Sequence, residues 1–303
     1  MFQFTLKIPK MKNFILVLAV LFLFPAMALK AGDDPVLEMD RTFQSSQGLT
    51  LYYDGISGDI SVKTWSKDEV NIKVFANTNA KENMEIQLVD GSGGININES
   101  SKYSSARGKD IRLKYEITLP SSYNITVNTS SSDMEVSNLS GNIYVQSSSG
   151  DCALNNISGD VTISTASGDI ATNNVTGNIH ISTASGDLVH SMTDGKVTLS
   201  TASGDITVKD ATESVSISTT SGDVVYVCTE HNAGATINTL SGDIILEISD
   251  KVPATVFVSD ARNVRNVSDD GKLYDSFERD YNGGGSKIYC TTKSGDVTIN
   301  DDY

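Results

Sequence analysis

Val161-Thr-Ile-Ser-Thr-Ala-Ser-Gly-Asp169 returns three times with small changes: as Ile179-His-Ile-Ser-Thr-Ala-Ser-Gly-Asp187, as Val197-Thr-Leu-Ser-Thr-Ala-Ser-Gly-Asp205 and as Val215-Ser-Ile-Ser-Thr-Thr-Ser-Gly-Asp223. Successive copies start eighteen residues apart. Looser copies fill the gaps. An apolar residue therefore opens a unit at Met134, Cys152, Ile170, Leu188, Ile206 and Val224, and in the other set at Ile143, Val161, Ile179, Val197 and Val215. The step is nine across residues 134–224, with no insertion. A period this strict belongs to a repeat architecture, in which one unit is too small to bury its own apolar face and stacking supplies the core.

Positions one and three of each unit are apolar, as in Val161/Ile163 and Val197/Leu199. Alternation along a strand puts both on the inner face. Gly at position eight suits a corner that needs positive φ, and the Ser and Asp beside it can bond turn amides. Position six separates two kinds of unit. One set carries small residues there (Ser148, Ala166, Ala184, Ala202, Thr220), and the other begins with Leu139, Ile157 and Val175 before Thr193 and Ala211. Two unlike units thus make one coil of 18 residues. The expected fold is all-β: a single-stranded parallel β-solenoid, right-handed as parallel crossovers are. Coils spaced ~4.8 Å apart give six of them a length of about 25–30 Å.

Outward from the repeat the pattern loosens. Stretches 36–43, 49–53, 60–64, 70–76, 84–89, 95–97, 111–119 and 125–127 alternate apolar and polar residues and read as strands. Ser57-Gly-Asp-Ile60 already matches the phrase, so residues 29–130 are expected to open or cap the same solenoid. The run 99–110 is polar and reads as a loop. Residues 131–249 are the regular repeats, lengthened by two residues after Val224, where Val225 and Val227 are expected on the outside. Residues 250–303 read as a polar excursion or an end cap, followed by a last strand, Ile288-Tyr-Cys-Thr-Thr-Lys-Ser-Gly-Asp-Val-Thr-Ile299.

The chain of 303 residues carries a net charge of -15, with 24 Gly and 5 Pro. That charge argues against nucleic acid and anionic membrane surfaces. Residues 1–28 read as a secretory signal peptide: Lys7, Lys10 and Lys12, then an apolar run at 14–24, then Ala26-Met27-Ala28. The run is short for a membrane span. An exported protein, periplasmic, cell-surface or extracellular and without stable membrane insertion, is expected. Met11 is an alternative start. Cys152, Cys228 and Cys290 do not make a disulfide framework. Cys152 and Cys228 fall ~19 Å apart in this register, too far to bridge, and buried free thiols are expected.

The repeated Ser-Gly-Asp-Ile/Val strands, the upstream Tyr115-Glu-Ile-Thr-Leu-Pro120 and the Gly-rich stretch before Ser294-Gly-Asp-Val resemble the bacterial putative-adhesin family of domains of unknown function. The resemblance covers residues 36–300. It implies an exported β-solenoid with a suspected adhesion role, and it carries no catalytic residues.

Two features are candidate sites. Asp133, Asp151, Asp169, Asp187, Asp205 and Asp223 fall eighteen apart and stack on one corner. They form either a cation ridge, with calcium as the candidate, because hard cations take carboxylate oxygens, or a series of acceptors for turn amides. The opposite corner is mixed: Asn142, Asp160, Asn178, Lys196 and Ser214. Beside the aspartate corner lies an outer face of Thr162, Ser164, His180, Ser182, Thr198, Ser200, Ser216 and Ser218. It is flat and rich in hydroxyls, suited to a glycan or another protein at the cell surface, or simply solvated.

The histidines make no catalytic pair. His180 points outward, His190 falls inward beneath Thr172, and His231 is in an irregular loop. Sugar-cleaving β-helix enzymes need carboxylates or basic groups clustered in a groove. Here Lys196 and Lys209 are the fixed positive charges of residues 134–224, and the acids sit on a regular ladder. The expectation is a non-catalytic protein acting in adhesion or envelope binding. The alternative is an envelope structural or signalling accessory that docks a partner protein, and a carbohydrate-active enzyme is the remote one.

Overall fold

Positions one and three of the repeat are the core. In the computed structural model, which describes residues 33–103, 109–269 and 272–301, they line the space between two sheets. The expected leader at 1–28 lies outside the described residues. Among those described, the strands form a first sheet of 14 and a second of 13. Each coil runs one strand in the second sheet, turns, and runs one in the first. Ile143–Ser149 is followed by Cys152–Ser158, and Val161–Ser167 by Ile170–Thr176. Neighbouring coils pair in parallel with a shift of eighteen: Ile143 opposite Val161, Cys152 opposite Ile170. The shift becomes twenty at Val215–Ala235 and Val224–Ile244, where the two extra residues enter. The expected parallel β-solenoid is the fold.

The two kinds of unit differ for a backbone reason. In the first sheet the fifth residue (Asn138, Asn156, Asn174, Met192, Asp210) is left-handed, with φ between 50° and 60°. Asn and Asp enter this region more easily than other side chains. The bend turns position six inward, so Leu139, Ile157 and Val175 are buried. In the second sheet position five points inward instead. A buried threonine column results, including Thr165, Thr183, Thr201 and Thr219, and position six is left exposed.

Glycine at the corners answers close approach as well as φ. A Cβ on Gly186 would lie 2.1 Å from the Gly168 carbonyl oxygen. Gly222 lacks a positive φ in the left-handed range, yet a Cβ there would lie 2.0 Å from Gly204 O. At these two corners a side chain would have to push the neighbouring backbone away, and glycine avoids it.

At both ends the stacking order departs from the chain order. Strands Thr50–Ser57 and Asp59–Trp65 pair with Asn124–Ser131 and Met134–Ser140 on one side. On the other side they pair with Gly94–Ser101 and Leu113–Pro120. The later coil is therefore the outer one. Glu69–Ala76 and Met84–Gly91 then close the two sheets in antiparallel fashion, and Val36–Gln44 adds to the first of them. The C-terminal end mirrors this. Ser286–Thr292 and Asp296–Asn300 slot between the Ala235–Ser241/Ile244–Ile248 coil and a coil made by Ala254–Ser259 and Asn263–Asn266. Phe277–Tyr281 and Leu273–Tyr274 close it antiparallel. Such closures keep parallel edges from pairing with other chains.

Val225 and Val227 alternate with the inward Val224, Tyr226 and Cys228 and stand on the outer face as expected, yet they are buried there, flanked by their in-register neighbours, Thr207 and Ile245 for one and Lys209 and Glu247 for the other. Two sequence expectations are corrected. The excursion after residue 250 contains a coil of its own. Glu99, read as loop, is buried at an inward strand position. A short helix, Thr78–Asn83, also appears, capped by Asn77, whose Oδ1 accepts Ala80 N–H at 2.9 Å. The three cysteines are buried and free.

Candidate binding face and its aspartate rim

The aspartate corner is a hydrogen-bonded ladder. Asp133 Oδ1 accepts the N–H of Asp151 at 2.9 Å, and Asp151, Asp169, Asp187 and Asp205 each accept from the next aspartate at 2.8–2.9 Å. The ladder continues through Asp223 to Asp243 and on to Asp296, both at 2.8 Å. The last two rungs escape a search by eighteen because the shift changes. Each carboxylate ties one coil to the next, and most of these groups are exposed. The mixed corner does the same while its side chains can accept. Asn142 N–H donates to Asn124 Oδ1, Asp160 N–H to Asn142 Oδ1 and Asn178 N–H to Asp160 Oδ1, at 2.8–2.9 Å. It ends after Lys196 N–H donates to Asn178 Oδ1 at 3.2 Å, since a lysine has no acceptor to offer. Among the described residues no group of three or more His, Cys, Asp or Glu side chains is arranged to hold a metal ion.

The eight predicted face residues come together as two register-matched columns on the second sheet. Thr162, His180, Thr198 and Ser216 lie side by side in one, and Ser164, Ser182, Ser200 and Ser218 in the other. All are half-buried or exposed. The columns run further than sequence reasoning placed them. Upstream they take in Thr126, Tyr144, Asn128 and Gln146. Downstream they take in Thr236, Asn238, Tyr289 and Thr291. No Asp, Glu, Lys or Arg stands in either column from strand Asn124–Ser131 to strand Ser286–Thr292. The outer face of the first sheet does carry charge, with Glu135, Lys209 and Glu247.

The histidines stay apart. His180 is exposed in the face, and His231 is exposed between strands. His190 is buried, with Nδ1 2.7 Å from Thr172 Oγ1. Its Nε2 has no hydrogen-bond partner. Burial lowers its pKa to about 4.

A constellation that sequence reasoning missed is structural. Glu99 Oε2 accepts from the hydroxyls of Tyr53 (2.7 Å) and Tyr115 (3.0 Å), and Oε1 accepts from Ser57 N–H (2.9 Å) and Ile56 N–H (3.3 Å). The rings meet edge to face at 5.2 Å. Gly55 makes room, for a Cβ there would lie 2.5 Å from the Tyr53 ring. Burial raises the Glu99 pKa against these four donors.

The family model Toastrack DUF4097 matches residues 49–300, and the chain belongs to that family. No protein among curated relatives matches. A putative adhesin from Bacteroides fragilis is 12% identical and has a TM-score of 0.50, the match covering 86% of this chain and 96% of that one. A putative lipid binding protein from Parabacteroides distasonis is 13% identical, with a TM-score of 0.41 and coverage of 88% and 97%. A putative cell adhesion protein from Clostridium sporogenes is 10% identical, with a TM-score of 0.22 and coverage of 88% and 99%. At 12% identity the likeness to the Bacteroides fragilis protein is one of fold.

Proposed function

We propose that this Toastrack DUF4097 chain is an exported, non-catalytic binding protein whose second-sheet outer face docks on a partner at the cell surface or in the envelope. The observation that carries the reading is the pair of uncharged columns that cross the second sheet in register, in a chain of net charge -15. A solenoid holds such a face flat and rigid, because every residue in it is set by the coil beneath. The leader read at 1–28 supplies the export. Among the described residues no helix is long and apolar enough to cross a membrane. The non-catalytic reading rests on the dispersed histidines and on carboxylates already engaged as amide acceptors. The description of the Bacteroides fragilis neighbour as a putative adhesin accords with it.

Sedimentation of the full chain with intact bacterial cells tests this. Lysines at Ser182 and Ser200, in mid-column, are expected to reduce the bound fraction at least tenfold, and a lysine at exposed Thr176 on the first sheet to leave it unchanged. Equal binding by all three chains would refute the assignment of the face.

A further inference from the structure

Aromatic residues bracket one of the two hydroxyl columns, that of Thr162 and His180. Tyr52, Thr126 and Tyr144 are consecutive in one column, on adjacent strands. At the far end Thr236 is followed by Tyr289 and then Phe257. Tyr52, Tyr144 and Tyr289 remain 41%, 45% and 43% exposed. Tyr289 stacks on Phe257 with centroids 5.0 Å apart and planes 16° from parallel. Between Tyr144 and Tyr289 lie Thr162, His180, Thr198, Ser216 and Thr236, a bed spanning about 29 Å at the usual strand spacing. Charge returns at the two ends. Asp54 lies opposite Asn128, and Lys287 Nζ is 5.5 Å from the Phe257 ring centroid.

The geometry points to an uncharged, extended polysaccharide as the occupant of this track, lying across the strands along the stack of coils. The inference rests on the second-sheet face being the binding surface. A pyranose ring has an apolar C–H face and a rim of hydroxyls. The first packs on an exposed aromatic ring, as apolar surface does generally, and the second exchanges hydrogen bonds with Ser, Thr, Asn and Gln, which both donate and accept. Tyr52 and Tyr144 are two strands apart, ~9.6 Å, close to the reach of one disaccharide in an extended chain. Charge complementarity selects a neutral polymer. Neither column offers Lys or Arg to an anionic one, and the aspartate ladder runs along the same stack of coils and would repel it. A protein partner would want its aromatic anchors at the centre of the patch with a polar rim, whereas here they stand at the ends and the centre is hydroxyl.

The test is native affinity electrophoresis of the full chain in gels containing mixed-linkage β-glucan, xyloglucan, mannan or, as the anionic comparison, polygalacturonate. At least one neutral polymer is expected to retard the chain, and polygalacturonate is not. Tyr144→Ala should weaken that retardation about tenfold, the worth of one good aromatic contact. Tyr144→Phe should keep it, and Tyr103→Ala, whose ring is 60% exposed outside the columns, should not change it. Retardation by polygalacturonate alone, or by a neutral polymer with no loss in Tyr144→Ala and Tyr52→Ala, overturns the inference. If no polymer binds while lysines at Ser182 and Ser200 still abolish attachment to cells, the polysaccharide is wrong and the face is right. If those lysines leave attachment unchanged, the face itself is wrong.

Discussion

Burying a carboxylate is tolerated only when its lone pairs are filled, and Glu99 shows how completely this chain fills them, with two phenols on one oxygen and two amides on the other. Glu99→Ala would leave those donors unanswered and is expected to cost about 3–5 kcal/mol. Glu99→Gln keeps the amide acceptor and lets the phenols accept from its NH2, so a loss near 1 kcal/mol is expected; chemical denaturation measures both. His190 gives the pH dependence. Its folded pKa is about 4, held below the ordinary 6.5 by burial. Between those values the unfolded chain binds a proton that the folded one does not. The stabilisation is therefore complete above about pH 6.5 and is lost as pH falls toward 4, amounting to about 3 kcal/mol. Melting His190→Leu beside the native chain from pH 7 to 4 should remove that part of the slope. The two residues were not equally readable. His190 sits in the strict repeat, so its inward position under Thr172 follows from counting. Glu99 lies where the repeat is irregular, and a charged side chain in a polar run gives no sign that two tyrosines from distant strands converge on it.

At the scale of the coil, the corner aspartates act as acceptors that point from one turn to the next. Asp187→Asn keeps an acceptor oxygen and removes one of the like charges stacked ~4.8 Å apart, so its melting temperature is expected to equal or exceed that of the native chain. Asp187→Ala should lose about 1 kcal/mol with the bond to Asp205 N–H. Calcium should leave all three melts unmoved. A rise confined to the native chain would instead establish the cation ridge. The strands themselves were written plainly in the sequence, since period two within a unit and period nine between units leave no other register. The left-handed fifth residue was less plain. Asn138, Asn156 and Asn174 are a signal for it, and Asn156 and Asn174 each donate to the asparagine one coil before, but Met192 takes the same conformation with no such hint. There the neighbouring coils impose it.

Across the whole stack, the ends are what counting could not supply. A coil that leaves the chain order and inserts beneath its predecessor depends on pairing between segments far apart in sequence, such as Ile244 with Val297 and Val264 with Val297. Nothing in the local pattern of either segment encodes that choice. The face, by contrast, follows from the repeat directly, and only its aromatic ends required the fold. Hydroxyl-radical footprinting of the full chain, free and bound to bacterial cells, reads the face without altering it. Tyr144 and Tyr289 report on the second sheet, and Met192, 50% exposed on the first sheet, serves as the reference. Binding through the second sheet predicts protection of both tyrosines with Met192 unchanged; protection of Met192 with the tyrosines as reactive as in the free chain would contradict it.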